Sequence, residues 1–248
     1  MANFRPLKKY LIYLMDKFDK RYSFGSPFLD AGCGLGEISA HFADRGLNGV
    51  AIDISDAAIQ EAKKNLSTHD NIRVEKMDIM EVSEKFDTIF LCDVLEHLND
   101  DQSYIKHLSK IITENGKLII SVPILKNEWR WDDDFYGHIR RYEIPEIIQL
   151  LCRNGFNVME IWDFTFPVFW LIRKIYTKII PKKMILKEKH LNTKISARRS
   201  AWDYGILTAA VEKIIWWRPI FWLQDKFKNH LVGCECILIA QKINDRPK

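Results

Sequence analysis

The chain has 248 residues, of which 47% are hydrophobic and 28% are charged. This balance is ordinary for a globular protein and excludes a disordered or fibrous chain, and the length suits one large domain or one domain with an insertion. The five cysteines include no Cys-x-x-Cys pair, so a zinc site is not expected and a reduced, cytoplasmic setting is favoured. No run of about 18 uncharged apolar residues is present, so no membrane-spanning helix is expected.

The net charge of +4 hides an uneven distribution along the chain. Residues 165–232 contain 14 Lys and Arg against 4 Asp and Glu, a net charge of +10, which leaves −6 for the rest. Such a split predicts that this segment has a different partner from the remainder of the protein.

Residues 4–24 carry apolar side chains at helical spacing, and these predict one or two helices. The apolar face consists of Leu7, Tyr10, Leu11, Leu14, Met15 and Phe18. We expect an N-terminal helical cap, residues 1–26, that lies across the ligand site or the edge of a sheet.

The rest of the chain is organised around residues 28–39, F-L-D-A-G-C-G-L-G-E-I-S. Apolar residues lead to Asp30, glycines occupy positions 32, 34 and 36, and a helical pattern begins at Glu37. A buried strand, a tight turn and a helix N-terminus are the layout of a nucleotide-type ligand site, and glycine is needed because a side chain would collide with the ligand or forbid the turn. The pattern is not the dinucleotide fingerprint G-x-G-x-x-G, since its last position is Glu37.

Further strands and helices alternate after this loop. Residues 47–54 predict a strand that ends at Asp53, where an acidic side chain accepts hydrogen bonds from ribose hydroxyls in nucleotide-binding folds. Ser55 is expected to cap the helix that follows. Three more strands are predicted at 72–77, at 86–92 and after Asn115-Gly116. Repeated β-α units of this kind indicate a parallel sheet.

Four features in this order resemble the class I S-adenosylmethionine (SAM) dependent methyltransferases: the D-x-G-x-G-x-G motif from Asp30, then Asp53, Asp78 and the strand sequence L-C-D-V-L-E-H-L. The resemblance covers about residues 28–161 plus a last strand, and D-V-L-E-H-L is similar to the segment in ubiquinone- and lipid-pathway O-methyltransferases. It implies SAM as cofactor and S-adenosylhomocysteine as product, with the ribose on Asp53, the adenine amine on Asp78 and the methionine portion on the glycine loop. The implied cofactor residues are Asp30, Gly32, Cys33, Gly34, Gly36, Asp53, Ile54, Asp78, Ile79, Cys92, Asp93 and Val94.

The segment after the fifth strand concentrates aromatic residues and resembles the family's G-H-x-R-x-Y-like stretch. Because this segment follows the carboxyl end of a strand, we expect it to wall the acceptor pocket. The acceptor residues expected are Trp129, Trp131, Tyr136 and Tyr142. His138 is the first candidate for a general base and His97 the second, since histidine changes charge near neutral pH. Both histidines could instead hold loops, and no metal is expected because the adjacent aspartates at 132–134 are typical of a solvated loop.

About 70 residues separate the last two predicted strands, 157–164 and 234–242, where this fold normally has a short connection. An insertion of that length must have structure of its own. Two amphipathic helical patterns, 168–180 and 201–217, are basic and rich in tryptophan, with five of the eight tryptophans at 170, 202, 216, 217 and 222. Such helices are typical of membrane interfaces, whereas internal packing as a subdomain and dimerisation are the alternatives.

The predicted fold is α/β: a doubly wound, seven-stranded, mostly parallel sheet with an antiparallel last strand and a helical insertion between strands 6 and 7. The methyltransferase domain comprises residues 27–164 and 233–248, and the basic, Trp-rich insertion comprises 165–232. The predicted function is SAM-dependent O-methylation of a small or amphiphilic acceptor such as a lipid, isoprenoid or glycan intermediate, in the cytoplasm or at the inner face of the membrane. An RNA methyltransferase and a catalytically inactive membrane scaffold are the alternatives. Nucleic acid is disfavoured, because the basic residues alternate with bulky apolar ones.

Overall fold

Seven strands form one sheet in the computed structural model, which describes residues 6–179 and 217–243. The strands are β1 (Phe28–Ala31), β2 (Gly49–Asp53), β3 (Ile72–Lys76), β4 (Phe86–Cys92), β5 (Ile112–Pro123), β6 (Phe156–Asp163) and β7 (Glu235–Lys242). Their order in the sheet is β3-β2-β1-β4-β5-β7-β6. β7 runs antiparallel to both of its neighbours, and the other pairs are parallel. The predicted seven-stranded sheet with an antiparallel last strand is therefore confirmed.

Helices follow most of the strands. They are α1 (Pro6–Tyr22), α2 (Glu37–Ala43), α3 (Asp56–Asn65), α4 (Asp101–Ile111), α5 (Trp131–Tyr136), α6 (Ile144–Arg153), α7 (Val168–Ile179) and α8 (Arg218–Phe227). Helix α3 begins as predicted, since Ser55 Oγ accepts a hydrogen bond from the Ala58 backbone N–H at 3.3 Å. This N-cap satisfies one of the backbone donors that the first turn of a helix leaves unpaired.

The central strands bury apolar side chains on both faces, as parallel strands covered by helices must. One face packs against α4 and α6 through residues such as Leu108 and Leu151, while the other packs against α1 and α2 through residues such as Phe18 and Phe42. Phe90 of β4 stacks on Phe42 with ring centroids 4.8 Å apart. The sheet is thus the middle layer of a three-layer structure.

Strand β5 begins earlier than the sequence predicts. The expected turn at Asn115-Gly116 lies inside the strand as an irregularity, where Asn115 has a positive φ of 62°. The register with β4 shifts at this point, between Phe86 and Thr88. Asparagine tolerates the left-handed region better than most residues, so it accommodates the extra residues without ending the strand.

The described parts of the insertion pack against α1. Phe169 of α7 and Trp217, which precedes α8, are buried and stack with centroids 5.7 Å apart. Phe221 of α8 lies 5.0 Å from Tyr10 of α1, and Lys17 bonds Asp225 at 2.6 Å. Most of the predicted helical pattern at 201–217, with Trp202 and Trp216, lies outside the described residues. None of the described helices is long and apolar enough to cross a membrane.

Candidate active site

The sheet reverses its winding between β1 and β4. From β1 the chain moves outward to β2 and β3, and after β4 it moves in the opposite direction. In open α/β sheets the ligand binds at such a switch point, outside the carboxyl ends of the strands. The residues that follow β1, β2, β4 and β5 therefore meet at one edge and form the candidate site.

The glycine loop after β1 has the backbone that the motif predicts. Gly32, Gly34 and Gly36 all have positive φ angles, of 77°, 55° and 76°. A Cβ on Gly32 would lie 2.4 Å from the side chain of Val94, whereas a Cβ on Gly34 would have no atom within 4 Å. Gly34 therefore borders open space in the protein, which is the property of a backbone cradle that a ligand approaches closely.

Asp53 stands at the end of β2 beside this cradle. Its Oδ2 accepts from the backbone N–H of Gly34 at 3.0 Å, and its Oδ1 accepts from that of Ser55 at 2.8 Å. Each carboxylate oxygen has a second lone-pair site, so the pair can still accept from a ribose diol. The next side chain, Ile54, is 70% exposed and offers an apolar surface beside the carboxylate.

Asp78 and Ile79 form the far side of the same edge, after β3. Asp78 caps a short 3-10 helix, Ile79–Glu81, because its Oδ1 accepts from the backbone N–H of Met80 at 2.8 Å. The hydroxyl of Tyr104 lies 3.4 Å from both carboxylate oxygens. The carboxylate is thus fixed in position, with acceptor capacity left for an amine.

Several of the predicted cofactor residues lie behind the site. Asp30 is only 2% exposed and accepts from Ser39 Oγ at 2.6 Å, so it supports the glycine loop from within the core. Burial raises the pKa of the Cys33 thiol and raises the pKa of Cys92 to about 12. Both thiols are therefore neutral at physiological pH and are not poised as nucleophiles.

The N-terminal cap contributes a cation that the sequence prediction missed. Lys8 of α1 places Nζ 3.9 Å from Asp93 Oδ2, next to Val94 and the glycine loop. Burial alone would lower the pKa of Lys8, but the Asp93 carboxylate raises it above the ordinary value. Lys8 is one of several charged residues of α1, and only the packing of the helix brings it to the site.

The aromatic residues after β5 separate into two groups. Trp129 is 39% exposed, and the ring of Tyr136 stacks on that of His138 with centroids 6.0 Å apart, so Tyr136 lies beside a candidate base. Trp131 donates to the carbonyl of Thr177 at 2.9 Å and packs against Tyr176, which ties it to α7. Tyr142 is only 5% exposed and its hydroxyl donates to Asp101 at 2.8 Å. The expectation that Tyr142 contacts the acceptor is therefore corrected: it belongs to the core.

The two candidate histidines meet above the end of β4, and the structure adds Glu96 to them. The rings of His97 and His138 have centroids 5.1 Å apart, and His138 Nε2 lies 3.8 Å from Glu96 Oε1. Burial, with repulsion from Asp93, raises the pKa of Glu96 well above its ordinary value, while burial lowers the pKa of His97. Glu96 lies in the quoted D-V-L-E-H-L segment but is not among the predicted site residues, because a glutamate in a short turn usually points to solvent.

A buried ionic network supports His138. Asp133 Oδ1 accepts from His138 Nδ1 at 2.9 Å and from Arg141, and its Oδ2 accepts from Arg173 of α7 at 2.8 Å. Arg173 also holds Asp132 with two bonds of 2.7 Å. Burial would raise the pKa of Asp133, but these hydrogen bonds and the two guanidinium groups hold it well below its ordinary range. The expectation of a solvated aspartate loop is therefore wrong for Asp132 and Asp133, which are both buried.

Comparisons with known proteins agree with this geometry. A family model described as "Methyltransferase domain" matches residues 4–161. The ubiquinone biosynthesis O-methyltransferase of Pelagibacter ubique (strain HTCC1062) is 30% identical over 133 residues, which are 49% of this chain and 54% of that protein. The corresponding mitochondrial enzyme of Schizosaccharomyces pombe is 31% identical over 118 residues, 45% of this chain and 43% of that protein. The matches thus span about half the length of these curated relatives.

A solved structure with the same fold is the magnesium protoporphyrin IX methyltransferase from Synechocystis PCC 6803 with bound S-adenosylhomocysteine. It has a TM-score of 0.56 at 16% identity and covers 95% of this chain and 82% of its own. At this identity the likeness concerns the fold alone. The family model, by contrast, covers well over half of the chain. The protein is therefore a member of the methyltransferase domain family and has the class I fold that its glycine motif predicts.

Proposed function

We propose that this protein transfers the methyl group of SAM to an oxygen atom of a small or amphiphilic acceptor. The observation that carries the proposal is the open backbone cradle at Gly34, with the Asp53 carboxylate beside it at the switch point of the sheet. A ligand with a nucleoside and a flexible charged arm fits this arrangement. A scaffold without a cofactor has no need of an open glycine turn beside a fixed carboxylate.

Each end of the site suits one part of SAM. Asp53 would accept from the ribose hydroxyls, Ile54 would cover one face of the adenine, and Asp78 would accept from its amine. The ammonium group of Lys8 would attract the carboxylate of the methionine portion, because the two groups have opposite charges. Hydrogen bonds to the carboxylates of Asp53 and Asp78, and from the ammonium group of Lys8, would be charge-assisted and therefore stronger than those between neutral groups.

SAM supplies a methyl group on a positively charged sulfur, and the chain has to bring an acceptor oxygen in line with that methyl. The acceptor hydroxyl must lose a proton as its oxygen attacks. His97 and His138 stand at the carboxyl end of β4, where the reacting atoms would meet. Trp129 and Tyr136 would cover the acceptor and keep water out.

An amphiphilic acceptor is favoured by the position of α7. One face of this helix packs against the segment after β5, through the contact between Tyr176 and Trp131. Another face exposes the apolar side chains of Leu171, Ile175 and Ile179. The names of the relatives also support oxygen as the methylated atom. A substrate with an apolar tail could enter along this face.

Incubation of the purified protein with methyl-labelled SAM and an extract of the source cells tests the proposal. We expect label in the organic phase after partition between solvent and water, because the acceptor has an apolar portion. Label in precipitated RNA would contradict the acceptor class, and the absence of any SAM binding by calorimetry would contradict the function itself. Boiled protein serves as the control.

We also propose that the insertion touches a membrane surface peripherally. On α8 the indole of Trp222 is 61% exposed, and Lys226 Nζ lies 3.8 Å above it, the pairing of an aromatic anchor with a cation that suits anionic lipid. The change Trp222→Ala should weaken binding to phosphatidylglycerol vesicles, measured by co-sedimentation, by roughly fivefold or more, since an interfacial tryptophan contributes about 1 kcal/mol or more. Met159→Ala, on β6, removes another exposed apolar side chain and should change nothing. Equal sedimentation of both variants would argue for internal packing only.

A further inference from the structure

Glu235 is the first residue of strand β7, and the direction of that strand brings it to the candidate site. Because β7 runs antiparallel to β5, it begins at the edge where the parallel strands end. Glu235 pairs in register with Pro123, the last residue of β5. Most of the proposed cofactor residues follow β1, β2 and β3, whereas the acceptor segment follows β5, so the start of β7 lies on the acceptor side of the sheet.

The alternation of side chains along β7 shows which face of the sheet Glu235 shares. Cys236 packs into the cluster that contains α4 and α6, whereas Ile237 packs into the cluster that contains α1 and α7. Glu235 lies two residues before Ile237, so its side chain is on the face that α1 and α7 cover. The sequence places Glu235 in the last predicted strand, where a single carboxylate gives no sign of a site.

The carboxylate of Asp93 lies on the same face and at the same edge. Ser121 of β5 pairs in register with Ile237, and its hydroxyl donates to Asp93 Oδ1 at 2.6 Å. Lys8 of α1 lies 3.9 Å from the other oxygen of Asp93. Neighbouring strands are about 4.8 Å apart, so the start of β7 stands roughly 10 Å from the end of β4. An acceptor group beside the methyl of SAM can occupy that gap.

The carboxylate of Glu235 makes no hydrogen bond and no ion pair within the described part of the chain, although the residue is only partly exposed. Its backbone, by contrast, is fully bonded. The N–H donates to Thr165 Oγ1 at 3.3 Å, and the carbonyl accepts from the N–H of Phe164 at 3.3 Å. Carboxylates removed from water normally have a donor or a cation, so this one is fixed in position and lacks a partner that the acceptor can supply.

The charges around Glu235 favour its neutral form. The charged groups that face it are Asp93 and Glu96 after β4, Asp133 of α5, Arg141 before α6 and Arg173 of α7. Burial, with repulsion from Asp93, raises the pKa of Glu235 to about 8, and the two guanidinium groups act in the opposite sense. Both guanidinium groups are already bonded to Asp133. Glu235 can therefore change between acid and base near neutral pH, which suits a group that transfers protons.

We propose that Glu235 contacts the acceptor hydroxyl and accepts its proton as the methyl group is transferred. The inference rests on the proposed methyl transfer from SAM to oxygen. The O–H bond breaks, its proton passes to a carboxylate oxygen of Glu235, and its electron pair stays on the acceptor oxygen. That oxygen forms the O–CH₃ bond, and the electron pair of the broken S–CH₃ bond stays on sulfur, which gives S-adenosylhomocysteine. The proton then leaves Glu235 for water.

Methyl transfer from labelled SAM to an organic-solvent extract of the source cells measures this step, with both in saturating amounts. Glu235→Gln should lower the rate by at least about 100-fold, since a positioned base contributes about 10²–10⁴-fold, and should leave SAM affinity by calorimetry unchanged. The wild-type rate should rise with pH around the pKa of about 8. Glu235→Asp should keep this rise, because it keeps a carboxylate, and Glu235→Gln should lose it. A rise that Glu235→Gln keeps and His138→Gln loses would assign the base to histidine and overturn the proposal.

Thermal unfolding without ligand gives a second result that needs no acceptor. Glutamine is always neutral, so the variant avoids the cost of an ionised, unpaired carboxylate in the folded state. That cost is absent below the unfolded pKa of about 4.3, grows with pH and is complete above the folded pKa of about 8. Glu235→Gln should unfold at least roughly 3 °C above wild type at pH 9 and closer to wild type at pH 4.5. A Tm equal to or below that of wild type at pH 9 would mean that the carboxylate is a paired structural group, against the proposal.

Glu160→Gln is the matched control. Glu160 is also a partly exposed glutamate, on the neighbouring strand β6, but its carboxylate accepts from the hydroxyl of Tyr22 at 2.6 Å and pairs with Arg21. Its substitution should leave methyl transfer and the pH dependence unchanged and should not raise Tm at pH 9. Wild-type protein that fails to bind SAM would contradict the proposed function, whereas the unfolding comparison tests Glu235 independently of that function.

Discussion

Gly34→Ala is expected to weaken SAM binding by roughly tenfold to hundredfold while the protein remains folded, because overpacking a fitted site costs about 1–3 kcal/mol. The new methyl group would meet no protein atom within 4 Å, so it enters only the space assigned to the ligand. The residue has a φ of 55°, which alanine adopts at a cost of about 1–2 kcal/mol. Calorimetric titration with SAM measures the affinity, and thermal unfolding without ligand measures the strain.

Gly46→Ala distinguishes the steric effect on SAM binding from the strain of an alanine at positive φ. Gly46 also has a positive φ, of 86°, and a Cβ there would also meet nothing within 4 Å. It lies in the turn after α2, away from the carboxyl ends of the strands. Its substitution should lower stability at least as much as Gly34→Ala and leave SAM affinity unchanged. If both variants bind SAM as the wild type does, the glycine loop is not the cofactor cradle.

The sheet and the cofactor half of the site follow from local signals. Apolar runs ending in Asp53 and Cys92, and a motif whose glycines need positive φ, depend on residues close in sequence. The cap at Ser55 is likewise decided within four residues. Because parallel strands bring their carboxyl ends to one edge, these local assignments place the residues proposed to bind the cofactor together. Lys8 is the exception, since only the packing of α1 brings it there.

The acceptor half depends on contacts between residues that are far apart in the sequence, and fewer of its features could be predicted. Tyr142 stands among polar residues and was expected in the pocket, yet its hydroxyl reaches Asp101 in the interior. In the sequence, Asp132 and Asp133 resemble part of a solvated loop. In the structure both accept hydrogen bonds from Arg173, which lies about 40 residues later in the chain. No spacing rule predicts a pairing between the segment after β5 and the insertion, so the sequence pattern does not show that these charges are buried.

Arg173→Met is expected to lower the free energy of unfolding by about 3–5 kcal/mol, the usual cost of removing one partner from a buried ion pair. The guanidinium bonds both Asp132 and Asp133, and all three side chains are at most 9% exposed. Its removal leaves two buried carboxylates, of which Asp133 keeps Arg141 and Asp132 keeps the hydroxyl of Tyr176. Denaturation in urea, with the slope compared with wild type, measures the change.

Lys174→Met is the neighbouring control on the same helix. Lys174 pairs with Glu128 at 3.1 Å and lies over Trp170, but its side chain is 29% exposed, so its loss should cost about 1 kcal/mol or less. Arg173→Lys keeps the charge but loses the planar guanidinium group. We expect an intermediate loss in the free energy of unfolding, because one ammonium group binds two carboxylates less well than a guanidinium does. Equal stability of all three variants would mean that α7 does not dock through this network. The link from the insertion to His138 would then have no energetic basis.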